Sequence, residues 1–308
     1  MPNRDGADVI GACLRSALAQ TWPRGEVIVV DDGSTDSSAD LVARDFPAVR
    51  LLRLPAPSGF AGACNAGLAA AGGEWIAVLN TDAEADPRWL AEAMAVAETA
   101  PAPAMIACRV LSADGATVDS LGMRLTRGGL CLLRGRGAID APDDTLPASA
   151  EVFGPAGSAA LYRASALDAV GFFAPDYFAY YEDADLAWRL RLAGHCCLLA
   201  HRARVRHRHS HTAVRVGLDK RYFLQRNRLR TVARNWPASL LLRNLHRLLA
   251  ADLASIALAT LEGRPRAARR ARGDFLRGLS ADLRSRRGRV TPAGIGDWLG
   301  RDAIGGRP

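Results

Sequence analysis

Apolar side chains change spacing repeatedly along the first 110 residues of the chain. Residues 7–20 repeat apolar positions at helical spacing, and residues 26–30 form a short β-branched apolar run that ends in a turn. Further strands are predicted at 49–54 and 75–79, and the helix predicted between them at 60–71 ends at two glycines. Alternating strands and helices predict an α/β domain with a mostly parallel, doubly wound sheet.

The pattern becomes irregular over residues 111–150, where short apolar segments are broken by glycine. A regular pattern then returns, with strands predicted at 158–162, 196–200 and 204–208 and helices at 164–170 and 183–193. From residue 215 the chain is helical, with breaks at Pro237 and near Gly263. We therefore predict one domain over residues 1–237, followed by a basic amphipathic helical tail over residues 238–308.

The start of the chain departs from this architecture. A doubly wound sheet of this type opens with an apolar strand, and here Met1–Asn3 corresponds only to the end of one. We therefore expect that the first strand is cut short and that the native gene product begins several residues upstream.

Charge is distributed unevenly along the chain. The net charge is +8, and arginine dominates after Arg202. Basic proteins favour nucleic acids, anionic membranes or anionic small molecules. The arginine-rich segments lack interleaved aromatic residues, which argues against a nucleic acid partner. The tail helices fit either contact with an anionic membrane surface or packing on the domain with a solvated basic face.

Two further features limit the class of protein. The first residues are polar and no apolar run reaches about 18 residues, so we expect a cytoplasmic protein, peripheral at the inner face of the plasma membrane. The chain has no G-x-G-x-x-G after a strand and no Walker A motif, which argues against dehydrogenases and P-loop NTPases.

Acidic residues follow two of the predicted strands. Asp31 and Asp32 end the first apolar run, and Asp82 follows the strand at 75–79. Ligands of open α/β sheets bind beyond the carboxyl ends of the strands, where carboxylates can hold a ribose or a divalent cation on a diphosphate. A polar turn with a helix cap is an equally good interpretation of Asp31 and Asp32 alone.

Three acids, Glu182, Asp183 and Asp185, open a predicted helix directly after a cluster of aromatic residues. The helix dipole alone favours acids in a first turn. A desolvated carboxylate beside aromatic rings would also suit a general base. Further along, alternation in a strand would place His207, His209 and His211 on one face. That face fits a metal or diphosphate site, or a solvated basic strand.

Taken in order, these segments resemble the inverting family 2 glycosyltransferases of the GT-A fold, and most of all the rhamnosyltransferase-like bacterial subgroup. The resemblance extends from about Asn3 to Pro237. The segments that carry it are residues 16–23, 27–36, 59–67, 75–82, 157–163, 178–189, 205–207 and 226–229.

The resemblance implies a role for each matching position on the donor side. Asp82 and His207 are implied to hold a divalent cation, Mg²⁺ or Mn²⁺. Asn80 stands where many members have the first acid of the metal motif, which weakens the expectation of a metal. The residues implied to bind the nucleotide sugar are Asp31, Asp32, Gly59, Gly62, Asn65, Asn80 and Thr81.

On the acceptor side, the resemblance implies that Asp183 is the catalytic base, with Glu182 beside it. Gly157, Ser158 and Asp185 are implied to face the acceptor. The implied reaction moves a sugar from a nucleoside-diphosphate donor, such as dTDP-rhamnose, to a hydroxyl of a glycan or lipid-linked acceptor in cell-surface polysaccharide synthesis. A catalytically impaired descendant that binds nucleotide sugars or glycans is the alternative.

Overall fold

The computed structural model describes residues 1–99, 102–208, 217–286 and 294–300. Strands and helices alternate at its start, as the sequence pattern predicts. The elements are β1 (Pro2–Asn3), α1 (Ile10–Leu18), β2 (Ile28–Asp31), α2 (Ser38–Asp45), β3 (Arg50–Arg53) and α3 (Gly59–Ala70). The three strands pair in parallel in chain order, and β1 contributes only two residues.

A seven-stranded sheet follows, with β10, β12, β6, β11 and β4 side by side, while β5 pairs with β12 and β7 with β6. Strands β4, β6 and β12 share one direction and β11 runs against them. The carboxyl ends of β4 and β12 therefore lie at the same edge. The bounds are β4 (Trp75–Leu79), β5 (Ala83–Ala85), α4 (Trp89–Ala97), β6 (Met105–Ser112), β7 (Val118–Ser120), β10 (Ser149–Glu151), β11 (Ala159–Arg163) and β12 (Cys197–His207).

Two of the sequence predictions concern strands of this sheet and can be compared with it. The irregular excursion at 111–150 contains β7, β10 and a separate hairpin of β8 (Met123–Leu125) and β9 (Cys131–Leu133). The prediction of two strands at 196–200 and 204–208 is wrong, because β12 is continuous. Both halves of β12 pair with β6, and the register shifts between Ala200 and Arg204. The residues at this irregularity interrupt the apolar pattern without ending the strand.

The remaining helices are α5 (Ala164–Val170), α6 (Glu182–Leu192), α7 (Lys220–Asn235), α8 (Ala238–Leu261) and α9 (Pro265–Arg284). The predicted breaks at Pro237 and near Gly263 are confirmed. Helix α9 packs along α7. Leu240 and Leu299 belong to the same core cluster as Trp188. The domain boundary at 237/238 stays a prediction.

The main core fixes α6 against the large sheet. Trp188 on α6 is buried, and its ring meets Phe153 edge-on with centroids 5.1 Å apart. Burying an aromatic side chain of this size stabilises the fold by about 1.5–3 kcal/mol. The first turn of α6 is thereby held at the sheet edge where β4 and β12 end. No helix in the described ranges is long and apolar enough to cross a membrane.

Candidate functional site

A cavity of about 650 Å³ lies where β2, β4 and β12 end. This is the edge at which open α/β sheets bind ligands. Most of the residues singled out in the sequence line it: Asp32, Gly59, Asn80, Thr81, Asp82, Gly157, Ser158, Glu182, Asp183 and His207. Residues separated by more than 170 positions in the chain therefore share one cavity.

One wall of the cavity is built around the ring of His207, the last residue of β12. Its Nε2 lies 3.1 Å from Oδ1 of Asp82, and its Nδ1 lies 3.0 Å from Oδ2 of Asp119. Burial lowers the pKa of His207, but hydrogen bonds with Asp119 and Asp82 outweigh it and raise the pKa to about 9. Without a metal, the imidazolium form is thus stabilised between two carboxylates.

Asp119 is a site residue that sequence reasoning missed. It lies in β7, a strand of only three residues, which pairs with β6 beside β12. Its other carboxylate oxygen is 3.6 Å from Nε of Arg136. An isolated acid in the irregular segment carries no recognisable spacing, so only the fold reveals its contact with His207.

The donor atoms in this wall suit a divalent cation bound together with a diphosphate. Oδ1 of Asn80 is buried and has no hydrogen-bond partner, while Nδ2 of Asn80 lies 3.4 Å from Nε2 of His207. The described residues contain no cluster of three or more His, Cys, Asp or Glu side chains that could hold a metal by themselves. Mg²⁺ and Mn²⁺ need few protein ligands when phosphate oxygens complete the coordination. His209 and His211 lie outside the described residues.

Positive side chains also line the cavity, and the sequence analysis did not single them out. Arg4, Arg124, Arg136 and Lys220 are among the lining residues. Burial and the nearby positive charge of Arg136 lower the pKa of Lys220. Among the acids of the same cavity, these side chains offer positive charge to an anionic group such as a diphosphate.

Glu182 and Asp183 open α6 and line the cavity. The Asp183 carboxylate accepts hydrogen bonds from N–H of Gly157 (2.9 Å) and of Ala184 (2.7 Å). Burial raises the pKa of Asp183, and these N–H groups oppose the increase. Burial and then the charge of Asp183 raise the pKa of Glu182 well above its usual range, and Oε2 of Glu182 has no hydrogen-bond partner.

Asp32 lines the cavity but also holds the start of α3. Its carboxylate accepts hydrogen bonds from N–H of Ser58 (2.6 Å) and of Gly59 (2.9 Å). Gly59 has φ +76°, and a Cβ there would lie 2.5 Å from the carbonyl oxygen of Phe178. Glycine at 59 therefore allows α3 to begin against the aromatic segment that precedes α6.

Four of the residues predicted for the site lie behind the cavity wall. Asp31 accepts from Nδ2 of Asn3, and Asn65 exchanges two hydrogen bonds with the backbone of Phe173. Asp185 lies two residues after Asp183, which turns it about 200° around the helix, away from the cavity. The fourth is Gly62, where a Cβ would meet Ser58 at 2.5 Å. The carboxylate of Asp185 accepts from Tyr177, Arg189 and Asn235.

Comparison with known sequences agrees with this geometry. Residues 1–171 match the family model described as Glycosyl transferase family 2, which is more than half of the chain. The succinoglycan biosynthesis protein ExoO of Rhizobium meliloti is 43% identical over 113 residues, covering 36% of this chain and 32% of that protein. The chain thus matches about a third of that relative. The N-acetylglucosaminyl-diphospho-decaprenol L-rhamnosyltransferase of Mycobacterium tuberculosis is 29% identical over 209 residues, covering 61% and 68% of the two chains.

Solved structures show the same fold. S. aureus TarS in complex with UDP-GlcNAc superposes with a TM-score of 0.61 at 17% identity, covering 92% of this chain and 82% of that one. The mannosyltransferase PcManGT of Pyrobaculum calidifontis, in complex with GDP-Man and Mn²⁺, gives a TM-score of 0.53 at 20% identity, covering 92% and 84%. These likenesses confirm the predicted GT-A fold.

Proposed function

The chain belongs to glycosyl transferase family 2, and we propose that it moves one sugar from a nucleoside-diphosphate donor to a hydroxyl of a glycan or lipid-linked acceptor, with inversion. One observation carries the proposal. A single cavity holds the Asp82–His207 pair on one wall and the Glu182–Asp183 pair at the start of α6. The first pair suits a leaving diphosphate, and the second suits an attacking hydroxyl.

Asp183 is the proposed base. As the acceptor oxygen forms its bond to the anomeric carbon, the bond from that carbon to the diphosphate oxygen breaks and the hydroxyl proton passes to the Asp183 carboxylate. A single displacement of this kind inverts the anomeric centre and needs one base. The N–H groups of Gly157 and Ala184 orient the carboxylate, and its raised pKa makes it a stronger base than an exposed aspartate.

Glu182 differs from its neighbour because Oε2 is buried without a partner and the pKa of its carboxyl is raised well above the usual range. A carboxyl in that setting keeps its proton to higher pH and can donate a hydrogen bond. We assign Glu182 the role of a neutral neighbour that contacts the bound sugar or the acceptor, while Asp183 carries the negative charge.

Asp82 and His207, with Oδ1 of Asn80, would hold the divalent cation. Such an ion, when bound, neutralises charge on the departing nucleoside diphosphate. Arg4 and Lys220 line the same cavity and add positive charge toward that group. The placement of Asp32 and Thr81 in the lining supports contacts with the nucleotide.

The proposed donor sugar and acceptor class rest on the names of the relatives. The name of the M. tuberculosis relative describes transfer of L-rhamnose to a lipid-diphosphate-linked sugar, and that of ExoO describes synthesis of succinoglycan. We therefore propose dTDP-rhamnose as the first donor to try and a lipid-linked glycan as the acceptor class, within cell-surface polysaccharide synthesis.

A lipid-linked acceptor would require the protein to work at a membrane surface. Leu242, Leu245, Leu249 and Leu253 on α8 are 75%, 51%, 57% and 66% exposed. Their spacing places them on one face of the helix. Arg243 and Arg247 lie at other exposed positions of α8. We propose that this leucine face of α8 contacts an anionic membrane, at the inner face of the plasma membrane.

The test is a thermal-shift screen of nucleotide sugars with and without Mn²⁺, on the unaltered protein and on Asp82→Ala. We expect one nucleotide sugar to raise the Tm of the unaltered protein in the presence of Mn²⁺, and the increase to be lost in Asp82→Ala. Release of the nucleoside diphosphate when acceptor is added then measures transfer. Donor binding without any release of nucleoside diphosphate would instead support the impaired nucleotide-sugar-binding alternative. If no nucleotide sugar binds at millimolar concentration, the transferase proposal fails.

A further inference from the structure

We infer that Asn227, on α7, is a positioning residue that holds the backbone in front of α6 and so directs Glu182 and Asp183 into the cavity. The inference rests on the proposed function for its catalytic consequence. Asn227 does not line the cavity, and nothing in its position along the chain links it to the carboxylates.

The backbone in front of α6 adopts an unusual conformation. Phe178, Tyr180 and Tyr181 have φ values of +65°, +68° and +71°, and apart from glycines the described residues contain only one other positive φ. Side chains on left-handed residues crowd the backbone, so this conformation costs free energy and persists only where surrounding contacts fix it. Three such residues stand within the four positions before Glu182.

Asn227 supplies those contacts. Its side-chain amide nitrogen lies 3.0 Å from the carbonyl oxygen of Tyr177, 2.9 Å from that of Ala179 and 2.7 Å from that of Tyr180. The residue is fully buried. The two N–H bonds of this amide are therefore shared among three carbonyl groups of the strained segment, and neither a carboxylate nor an apolar side chain has an N–H to donate.

Two neighbouring residues hold the same segment, and we call the contacts of Asn227, Arg226 and Ala61 with residues 176–180 the clamp. Arg226 donates from Nη2 to the carbonyl oxygens of Asp176 (3.0 Å) and Tyr177 (2.9 Å). On the opposite side, N–H of Ala61 donates to the carbonyl oxygen of Phe178 at 3.1 Å. The segment is thus held between α7 and the start of α3.

The clamp fixes the backbone from which α6 begins, and it acts together with the N–H of Gly157, which holds the Asp183 carboxylate. Tyr181 is the N-cap residue of α6 and makes no side-chain capping bond. Glu182 and Asp183 follow it directly, so the φ and ψ of residues 178–181 set the position and direction of the backbone that carries them. If Asn227 is removed, the carbonyl groups of Ala179 and Tyr180 lose this hydrogen-bond donor, and the segment can relax toward negative φ at those positions and shift the first residues of α6.

The first measurement compares Asn227→Ala with a matched control, Asn244→Ala. Asn244 is also buried and donates to the carbonyl oxygen of Leu240 at 3.0 Å, outside the cavity. Since a positioned general base contributes about 10²–10⁴-fold, we expect Asn227→Ala to lower kcat by about 10–100-fold. The Kd of the donor nucleotide should change less than twofold, and Asn244→Ala should retain kcat.

The second measurement isolates the backbone conformation. Tyr180→Gly and Tyr180→Ala both remove the ring, but only glycine accepts positive φ without strain. In chains that lack Asn227, Tyr180→Gly should be several-fold more active than Tyr180→Ala. In chains that keep Asn227, the difference should be small. Equal activities for glycine and alanine in the absence of Asn227 would overturn the inference, as would an unchanged kcat in Asn227→Ala.

Hydrogen exchange provides a readout that does not need activity. Asn227→Ala should speed exchange in residues 177–183 and leave β11 unchanged, whereas Asn244→Ala should not. Suppose that the unaltered protein transfers no sugar but this local change is seen. Then the clamp stands and the transferase proposal fails. An active protein with unchanged exchange in residues 177–183 would reject the clamp alone. If Asn227→Ala does not fold, Asn227→Ser, a smaller change that also removes the amide N–H donors, takes its place, and an unchanged kcat with unchanged exchange in residues 177–183 would overturn the inference.

Discussion

Oδ2 of Asp119 lies 3.0 Å from Nδ1 of His207, on the side of the ring opposite Asp82. A carboxylate at one imidazole nitrogen orients the ring and makes the other nitrogen a better metal ligand. Asp119 would in this way prepare Nε2 of His207 for the proposed cation. The three residues come from β12, β7 and the turn after β4, so the sheet edge assembles them.

Replacing Asp119 by asparagine tests this role. Because outer carboxylate partners typically affect metal affinity about 10–100-fold, we expect Asp119→Asn to weaken Mn²⁺ binding by that factor in the presence of a nucleoside diphosphate. Electron paramagnetic resonance of free Mn²⁺ measures the affinity directly. Asp114→Asn, at an exposed position between β6 and β7, is the matched control. Equal Mn²⁺ affinity in the two variants would contradict the assignment.

The metal-free protein should lose stability as pH rises toward 9. His207 has a pKa of about 9 in the fold, above its ordinary value of 6.5, because hydrogen bonds with Asp119 and Asp82 outweigh burial. The folded state therefore binds the proton more tightly than the unfolded chain. The resulting stabilisation is fully present below pH 6.5 and is lost as pH rises through 9.

Urea unfolding in EDTA at several pH values between 6 and 9.5 measures this loss. His207→Gln should reduce the pH dependence in that window, although its stability at pH 6 should be lower. An equal slope in the unaltered protein and in His207→Gln would contradict the raised pKa of His207.

Asp183→Asn should abolish most of the activity and leave donor binding intact. Asparagine can still accept from N–H of Gly157 or of Ala184, but it cannot take a proton. General-base removal typically costs about 10²–10⁴-fold, and we expect kcat to fall within that range. Asp168→Asn, an exposed change on α5, serves as the control. If kcat stayed within threefold of the unaltered value, the base would be Glu182 or another group and not Asp183.

The leucine face of α8 predicts binding to anionic vesicles. Burying one leucine side chain is worth about 1.5–3 kcal/mol, so Leu242→Ser combined with Leu249→Ser should weaken vesicle binding at least tenfold. Sedimentation with phosphatidylglycerol-containing vesicles measures it, and pure phosphatidylcholine vesicles should bind less. Ile139→Ser is a suitable control because Ile139 is 85% exposed and distant in sequence from α8. No binding of the unaltered protein to anionic vesicles would reject the proposal.

Some acidic residues of this site can be predicted from the sequence, and one cannot. Asp32, Asp82 and Asp183 could be found because each acid directly follows a strand or opens a helix, and these boundaries are local features of the sequence. Asp119 could not be found, because its contact with His207 spans 88 residues and depends on the pairing of β6 with both β7 and β12.

Asp185 shows a different limit of prediction from the sequence. Its acidity and its place two residues after Asp183 made it resemble a site residue, yet a helix turns about 100° per residue and carries it to the opposite face. There its carboxylate satisfies Tyr177 and Asn235 within the protein. Likewise, the reversed direction of β11 between β4 and β6 leaves no mark on the alternation of strands and helices.

The close approach of Gly59 to Phe178 makes one peptide group common to the start of α3 and to the segment that leads into α6. The carbonyl of Phe178 receives the N–H of Ala61 at the start of α3, and the same residue begins the stretch that leads into Glu182 and Asp183. A nucleotide that displaces α3 must also move this carbonyl. With the proposed donor and acceptor sites, a shift of α3 on donor binding would reach the start of α6 through this single contact.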